Sequence, residues 1–508
     1  MTVFIACSAI AFAVFAVLSA KCKLYEKDYN PEKKSHNALI FIVTGACGFL
    51  AFWIFHLLYK EGIAYPFTKS VASYSPYEQL FDALMKHQFR LDVEPARELA
   101  EMLNPYDWDA RDELVVSYLW DRAYFEGSYY CYFGIAPILL VYFPFYFITK
   151  TLPSAQTACF IMSIISVAVI SALTVKIQKL FLKRVNLCLL IFSIIAAQFG
   201  SLVFMVQSSA DFYYTAVQSG ILFLSLFLLF TLTAYEKKTV KAKSIYFALS
   251  AASLVFLVLS RPNMALFAVM AIPVYLNVLL SKDFKAKAKL CQVLSFAVPA
   301  LIGAAFVMYY NYARFGNVLE FGSSYQLTVH DVRDYSLSAA LLFPTLYYYF
   351  LKQPEFTAEL PYLKIDFVNI IKEMSYDKYI YLTSTIGALS VPCNWAVFAA
   401  GPLYIGEKNR VKTGFVLSGA ACVFVIAFVD MCLGGVNIRY LADIMLVLTL
   451  ISSLVLVELL SEISKKKALK LIFFLICAVI LLLSAAVGAL LILNNERDYI
   501  FSPTPLIK

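Results

Sequence analysis

The chain is dominated by apolar runs of about 20 residues, each long enough to cross a hydrocarbon core of about 30 Å as a helix. Short charged connectors separate most of these runs. Of 508 residues, 61% are hydrophobic and only 15% are charged, against roughly a quarter charged in a soluble domain. A mean hydropathy of +0.74 excludes an ordinary water-soluble enzyme and a disordered chain. The predicted class is an all-α polytopic membrane protein. It forms a single integral-membrane domain over residues 1–508, with about 12 transmembrane helices and large extracytoplasmic loops carrying amphipathic or interfacial helices.

Charge placement orients the chain. Six short blocks (21–37, 176–184, 235–243, 282–289, 407–412 and 461–470) hold 24 of the 42 Lys and Arg residues. Short basic loops mark the cytoplasmic side, so the net charge of +8 signals topology rather than a nucleic-acid partner. One threading puts all six blocks inside. Its spans fall near 2–20, 38–58, 156–175, 186–206, 212–234, 244–260, 263–281, 290–311, 380–403, 413–432, 439–460 and 471–493. Residues 1–20 lack a basic stretch ahead of the apolar run, and five Lys follow it, so a retained anchor is expected rather than a signal peptide. The apolar run at 131–149 is predicted to lie along the outer face. As a span it would invert every later basic loop, and Pro137 and Pro144 each remove a helix hydrogen bond. A second interfacial helix is expected at 335–351.

Two outer segments remain, 59–155 and 312–379, far longer than span connectors need to be. The first holds 13 acids against 8 bases, the reverse of the inner loops, and is the candidate catalytic loop. Its Asp residues 82, 107 and 121 are competing candidates for a general base, and Asp121 is favoured because it directly precedes the densest aromatic stretch. Asp82 stands in the helix-like segment after Ser75-Pro76, and Asp107 lies among Asp109, Arg111 and Asp112, where local pairs on a solvated loop also account for it. Glu126, Tyr129 and Tyr130 follow Asp121 and are candidate substrate contacts, although Tyr is also favoured at any membrane interface. At outer span ends lie Asp211, Arg261, Arg314 and Arg439. Ionisable groups there are costly and commonly functional. A guanidinium suits the phosphate of an anionic lipid head group, or simply snorkels. Arg439 and Asp443 are four apart, so on a helix they share a face and can pair.

Other chemistries leave no trace. Most of the eleven Cys lie in predicted spans, so no disulfide framework is expected. The four His are scattered, no Cys/His spacing suits zinc, and no phosphate-cradling glycine loop occurs. No zinc site and no nucleotide cofactor are therefore expected.

The stretch DRAYFEGSYYCYFGIAPILLVYFPFYFITKTLP (121–153) resembles the first-outer-loop motif of the GT-C superfamily of glycosyltransferases, in the branch near the protein O-mannosyltransferases and aminoarabinose transferases. The order Asp121, Gly127 to Tyr130, Pro137, then a span ending in basic residues matches that motif. Asp211 stands in the second outer turn, where the family often carries an Asp. The segments YNYARFGNVLEFGSSYQL and IRYLAD are also similar to bacterial members of the branch. One departure stands out: better-known members place an Asp just after the span before the first outer helix, where this chain reads YSPYEQLFDAL. The resemblance implies transfer of a sugar from a polyprenyl-phosphate-linked donor to an envelope glycan, lipid or protein acceptor. That reaction would take place on the outer face of a plasma membrane, which the Lys-rich loops suggest is bacterial, and the resemblance implies that it needs no metal. The alternatives are a transporter or flippase of lipid-linked saccharides, which predicts ionisable groups at mid-membrane, and a non-catalytic envelope assembly protein.

Overall fold

The computed structural model describes residues 13–60, 67–68, 75–282, 284–358, 362–364, 385–463 and 467–493. Among them are ten helices long and apolar enough to cross a membrane. They are α1 (Lys34–Lys60), α2 (Ala155–Phe181), α3 (Leu187–Ser208), α4 (Phe212–Glu236), α5 (Val240–Val258), α6 (Pro262–Leu280), α7 (Ala286–Phe315), α8 (Arg410–Gly434), α9 (Ile438–Leu459) and α10 (Leu469–Leu493). Each is apolar on all sides, the pattern of a helix whose surroundings are either protein or lipid tails. α9 is the axis of the bundle, with 94% of its apolar window buried, whereas α1 and α7 bury only 17% and present their apolar sides outward.

Two spans of the predicted threading take other forms. Residues 13–21 are helical, and the rest of the first span lies outside the described residues. The run at 380–403 does not form one α-helix. Its described part consists of tight 3₁₀ turns, Ala388–Ser390 and Pro392–Ala399, followed by a short α-turn, Ala400–Tyr404. Pro392 and Pro402 each lack the N–H that a regular helix uses. The bundle holds this segment in place, with Ser484 of α10 accepting the Cys393 backbone N–H at 2.8 Å.

Helix starts follow local chemistry. Ser154, Asn186, Asp211 and Thr239 each cap the helix that follows by accepting an N–H from its first turn. The α4 cap fixes the place of Asp211.

At one end of the bundle, residues 75–153 and 316–358 form a lid of short elements. The apolar helix Ile138–Thr149 occupies the 131–149 run, and Ala339–Leu351 occupies the 335–351 run. At about 1.5 Å per residue neither reaches across 30 Å. Pro76–Met85 packs on the first of these, Tyr77 stacking on Tyr142 and Phe81 against Phe143 and Tyr146. Strands β1 (Ala123–Phe125) and β2 (Ser128–Tyr130) form a hairpin whose two-residue turn, Glu126-Gly127, has positive φ at both positions. The two outer segments are bound to each other. Buried Arg111 donates to the carbonyls of Pro105 and Thr328, and the Asp121 N–H donates to Leu327 while the Leu327 N–H donates to Arg122.

The far end carries the Lys blocks. There Lys176 of α2 pairs with Glu236 of α4, and buried Lys412 bridges Glu407 and Glu458 at 2.6 Å each.

Candidate active site

The lid and the adjoining span ends enclose two connected hollows. The inner lobe, about 350 Å³, has Phe133, Arg261, Asn263, Phe321 and Asp430 in its wall. The outer lobe, about 130 Å³, has Trp120, Asp121, Thr328 and Tyr335. Tyr132, Tyr213, Gln326, Arg439 and Tyr440 line both and form the neck between them.

Asp121 stands in the outer lobe, just ahead of the hairpin. Its φ of 51° lies in the left-handed region, which costs about 1–2 kcal/mol for most L-residues and is visited by Asp more readily than by most. Its N–H, donated to the Leu327 carbonyl, and the Leu327 N–H, donated to the Arg122 carbonyl, hold it there. The carboxylate is 6% exposed and accepts the Tyr213 hydroxyl. Burial raises its pKa above the ordinary carboxylate value. The Tyr213 hydroxyl, the Arg439 and Arg122 guanidiniums and the Thr328 hydroxyl pull in the opposite direction without cancelling it.

Arg439 opens α9 at the neck. Its guanidinium lies 4.3 Å from the centre of the Tyr213 ring and 5.1 Å from that of Tyr440. Two aromatic faces thus position a cation beside the Asp121 carboxylate.

Below the neck is a second buried polar group. Arg261, in the turn between α5 and α6, holds Asp443 of α9 in a two-pronged pair, with Nε to Oδ1 at 3.1 Å. Asn263 donates from Nδ2 to Asp430 Oδ1 at 2.9 Å and to Asp443 Oδ2 at 2.8 Å. Asp443 is fully buried and Asp430 is 8% exposed. Asp443 therefore pairs with Arg261 across the bundle, not with Arg439 four residues away. On α9 its side chain points to the core, while Arg439 faces the neck.

Two glycines make this packing possible. A Cβ at Gly134 would sit 2.1 Å from the Leu259 carbonyl oxygen, so only glycine lets the lid segment after β2 press onto the turn that carries Arg261. Gly435, at φ 76° and ψ −140°, adopts a backbone that L side chains rarely take, and it turns the chain from Asp430 on α8 to Arg439 on α9.

The remaining predicted site residues lie elsewhere or beneath the walls. Asp82 is on the surface, accepting Lys86 Nζ at 2.7 Å, and Asp107 caps the helix Trp108–Glu113. Neither lines a lobe. Asp211 accepts the Tyr214 N–H at 3.0 Å as the α4 cap. Arg314 is buried behind the lid, donating to the Cys131 carbonyl at 2.8 Å and to Asn311 at 2.9 Å, with its guanidinium 3.7 Å from the Tyr310 ring centre. Tyr129 is buried, its hydroxyl accepting the Leu119 N–H at 3.3 Å, while Tyr130 packs on Phe315 and Glu126 forms the hairpin turn.

Sequence reasoning did not single out Tyr132, Tyr213, Asn263, Asp430 or Tyr440. For Asp430 a signal was present, an acid inside a predicted span. The aromatics carry none, because one Tyr in a chain holding 34 looks like any other. Among the described residues, no group of three or more His, Cys, Asp or Glu gathers as a metal would require.

In fold, the chain is similar to the oligosaccharyltransferase of Archaeoglobus fulgidus, a GT-C enzyme solved as a crystal structure in the apo form. The TM-score is 0.50 and the identity 11%, over 91% of this chain and 56% of that one. At that identity the likeness shows a common fold, and the chain spans little more than half of that enzyme's length. No protein-family model matches the chain, and no curated protein does.

Proposed function

We propose that the chain is a membrane glycosyltransferase of GT-C type, taking a sugar from a polyprenyl-phosphate-linked donor and passing it to an acceptor on the outer face. One observation carries the reading: a buried carboxylate, Asp121, and a guanidinium, Arg439, face the same hollow at the end of the bundle opposite the Lys blocks. The fold shared with an oligosaccharyltransferase supports it. So does the resemblance of residues 121–153 to the branch near the protein O-mannosyltransferases and aminoarabinose transferases.

The reaction follows from the two groups. The Asp121 carboxylate takes the proton of an acceptor hydroxyl or amine as its oxygen or nitrogen bonds to the anomeric carbon. The bond from that carbon to the phosphate oxygen breaks, and the electron pair leaves on polyprenyl phosphate. Arg439 stabilises that developing charge. A carboxyl whose pKa is raised by burial is a stronger base, once ionised, than an exposed one. Arg261 suits the phosphate less well, because Asp443 already neutralises it.

The test is donor turnover by the purified chain in nanodiscs, read as free polyprenyl phosphate from a panel of polyprenyl-phosphate sugars with envelope acceptors added. Asp121→Asn should lose about 10²–10⁴-fold, the usual worth of a general base, while Asp82→Asn and Asp107→Asn stay within about threefold. Equal turnover by wild type and a folded Asp121→Asn would sink the reading. Movement of labelled lipid-linked sugar between leaflets without turnover would replace it with a flippase.

A further inference from the structure

The inner lobe is larger than catalysis by Asp121 and Arg439 requires, and its wall holds a carboxylate oxygen with an unmet need. Asp430 is 92% buried by its 8% exposure, and its Oδ1 accepts from Asn263. Its Oδ2 has no hydrogen-bond partner among the described residues, although the side chain lines the lobe. Leaving such an oxygen unpaired costs about 1–3 kcal/mol, more when it is charged, so the lobe favours an occupant that donates a hydrogen bond there.

Charge decides what kind of occupant. The inner polar group holds two carboxylates, Asp430 and Asp443, against one guanidinium, Arg261. Arg261 is thereby held by a carboxylate on the inner side, and an anion falls to Arg439, which lines the lobe at its neck. The walls carry five aromatic rings, Tyr132, Phe133, Tyr213, Phe321 and Tyr440. Flat apolar faces combined with a few fixed polar atoms suit a neutral ring edged by hydroxyl groups.

Resting on the glycosyltransferase reading, we propose that the inner lobe is the pocket for the donor's sugar ring, and that Asp430 is its specificity-determining residue, accepting a hydrogen bond from a ring hydroxyl at Oδ2. With the phosphate at Arg439 and the acceptor meeting Asp121 in the outer lobe, the ring bonded to that phosphate extends into the inner lobe. Asn263 holds the Asp430 carboxylate in place, and the Arg261–Asp443 pair holds Asn263. A site whose buried acceptor depends on the substrate strongly rejects an analogue lacking that hydroxyl, because the acceptor is then left bare.

The experiment measures binding to the full chain in nanodiscs. The probes are undecaprenyl phosphate, its glucosyl, galactosyl, mannosyl and arabinosyl esters, and singly deoxygenated versions of the best ester. The readout is the sugar increment, the ratio of the Kd of the bare lipid to that of the ester. In the wild type, one ester should show an increment of tenfold or more, and one deoxy position should erase it. In Asp430→Leu the increment should fall below threefold and the deoxy position should no longer matter, with bare-lipid affinity changed less than threefold. Asp430→Asn, which keeps the shape, should fall between, and it serves as the readout if the Leu variant does not fold. Arg439→Ala should weaken bare lipid and esters alike. An increment that survives in Asp430→Leu, or one equal among all deoxy analogues, overturns the role of Asp430 while bare-lipid binding sensitive to Arg439 keeps the donor reading. Absence of any lipid binding by the folded wild type overturns both.

Discussion

Asp121 joins three demands that seldom coincide on one residue: a left-handed backbone, burial, and a shared hydrogen bond. Its neighbour Tyr213 is a positioning residue whose effect has a definite sign. The Tyr213 hydroxyl lowers the carboxyl pKa, against the rise that burial causes. Removing it in Tyr213→Phe should raise that pKa further. A general base works only when ionised, so activity is lost as pH falls through its pKa. The acid limb of the pH–rate profile should therefore start above the ordinary carboxylate range in the wild type and move to still higher pH in Tyr213→Phe. An unmoved limb, with kcat merely scaled, would mean that some other group titrates.

Among the elements, the lid segment after β2 and the α5–α6 turn decide whether the site forms. Gly134→Ala places a methyl group 2.1 Å from a backbone oxygen, and neither partner is a flexible side chain. Overpacking of this kind costs about 1–3 kcal/mol, so the variant in detergent should melt several degrees below the wild type and bind undecaprenyl phosphate more weakly. An unchanged Tm and affinity would show that the segment yields freely. This contact marks the limit of what the sequence disclosed. The spans were legible because 20 apolar residues in a row have few other destinations, whereas the hairpin after Asp121 went unread although Glu126-Gly127 offers its turn. The run at 380–403 has the hydropathy of a span, but its described part is a 3₁₀ coil opened by Pro392 and a short α-turn that holds Pro402. The partner of Asp443 was not legible, since spacing along α9 offers Arg439 while packing across the bundle supplies Arg261. Which of three outer Asp residues reaches a cavity depended on contacts as distant as Asp121 with Leu327, which no local pattern encodes.

At the scale of the whole molecule, the bundle separates two chemistries. One end gathers acids, aromatics and arginines around the lobes, and the other gathers lysine pairs such as Lys176–Glu236 and Lys412–Glu458. The positive-inside rule assigns the second end to the cytoplasm. A membrane-impermeant maleimide applied to intact cells should then label Ser336→Cys on the exposed face of the lid, and should reach exposed Cys22 in the first Lys block only after permeabilisation. The opposite pattern would invert the chain and put the lobes in the cytosol. The most direct measurement of the central claim is the location of the lipid, by cryo-electron microscopy of the chain in nanodiscs with undecaprenyl phosphate. The expected result is phosphate density at the neck, within hydrogen-bonding reach of the Arg439 guanidinium and beside Asp121. Phosphate bound at the Lys-rich end with both lobes empty would contradict a transfer site built from these two residues.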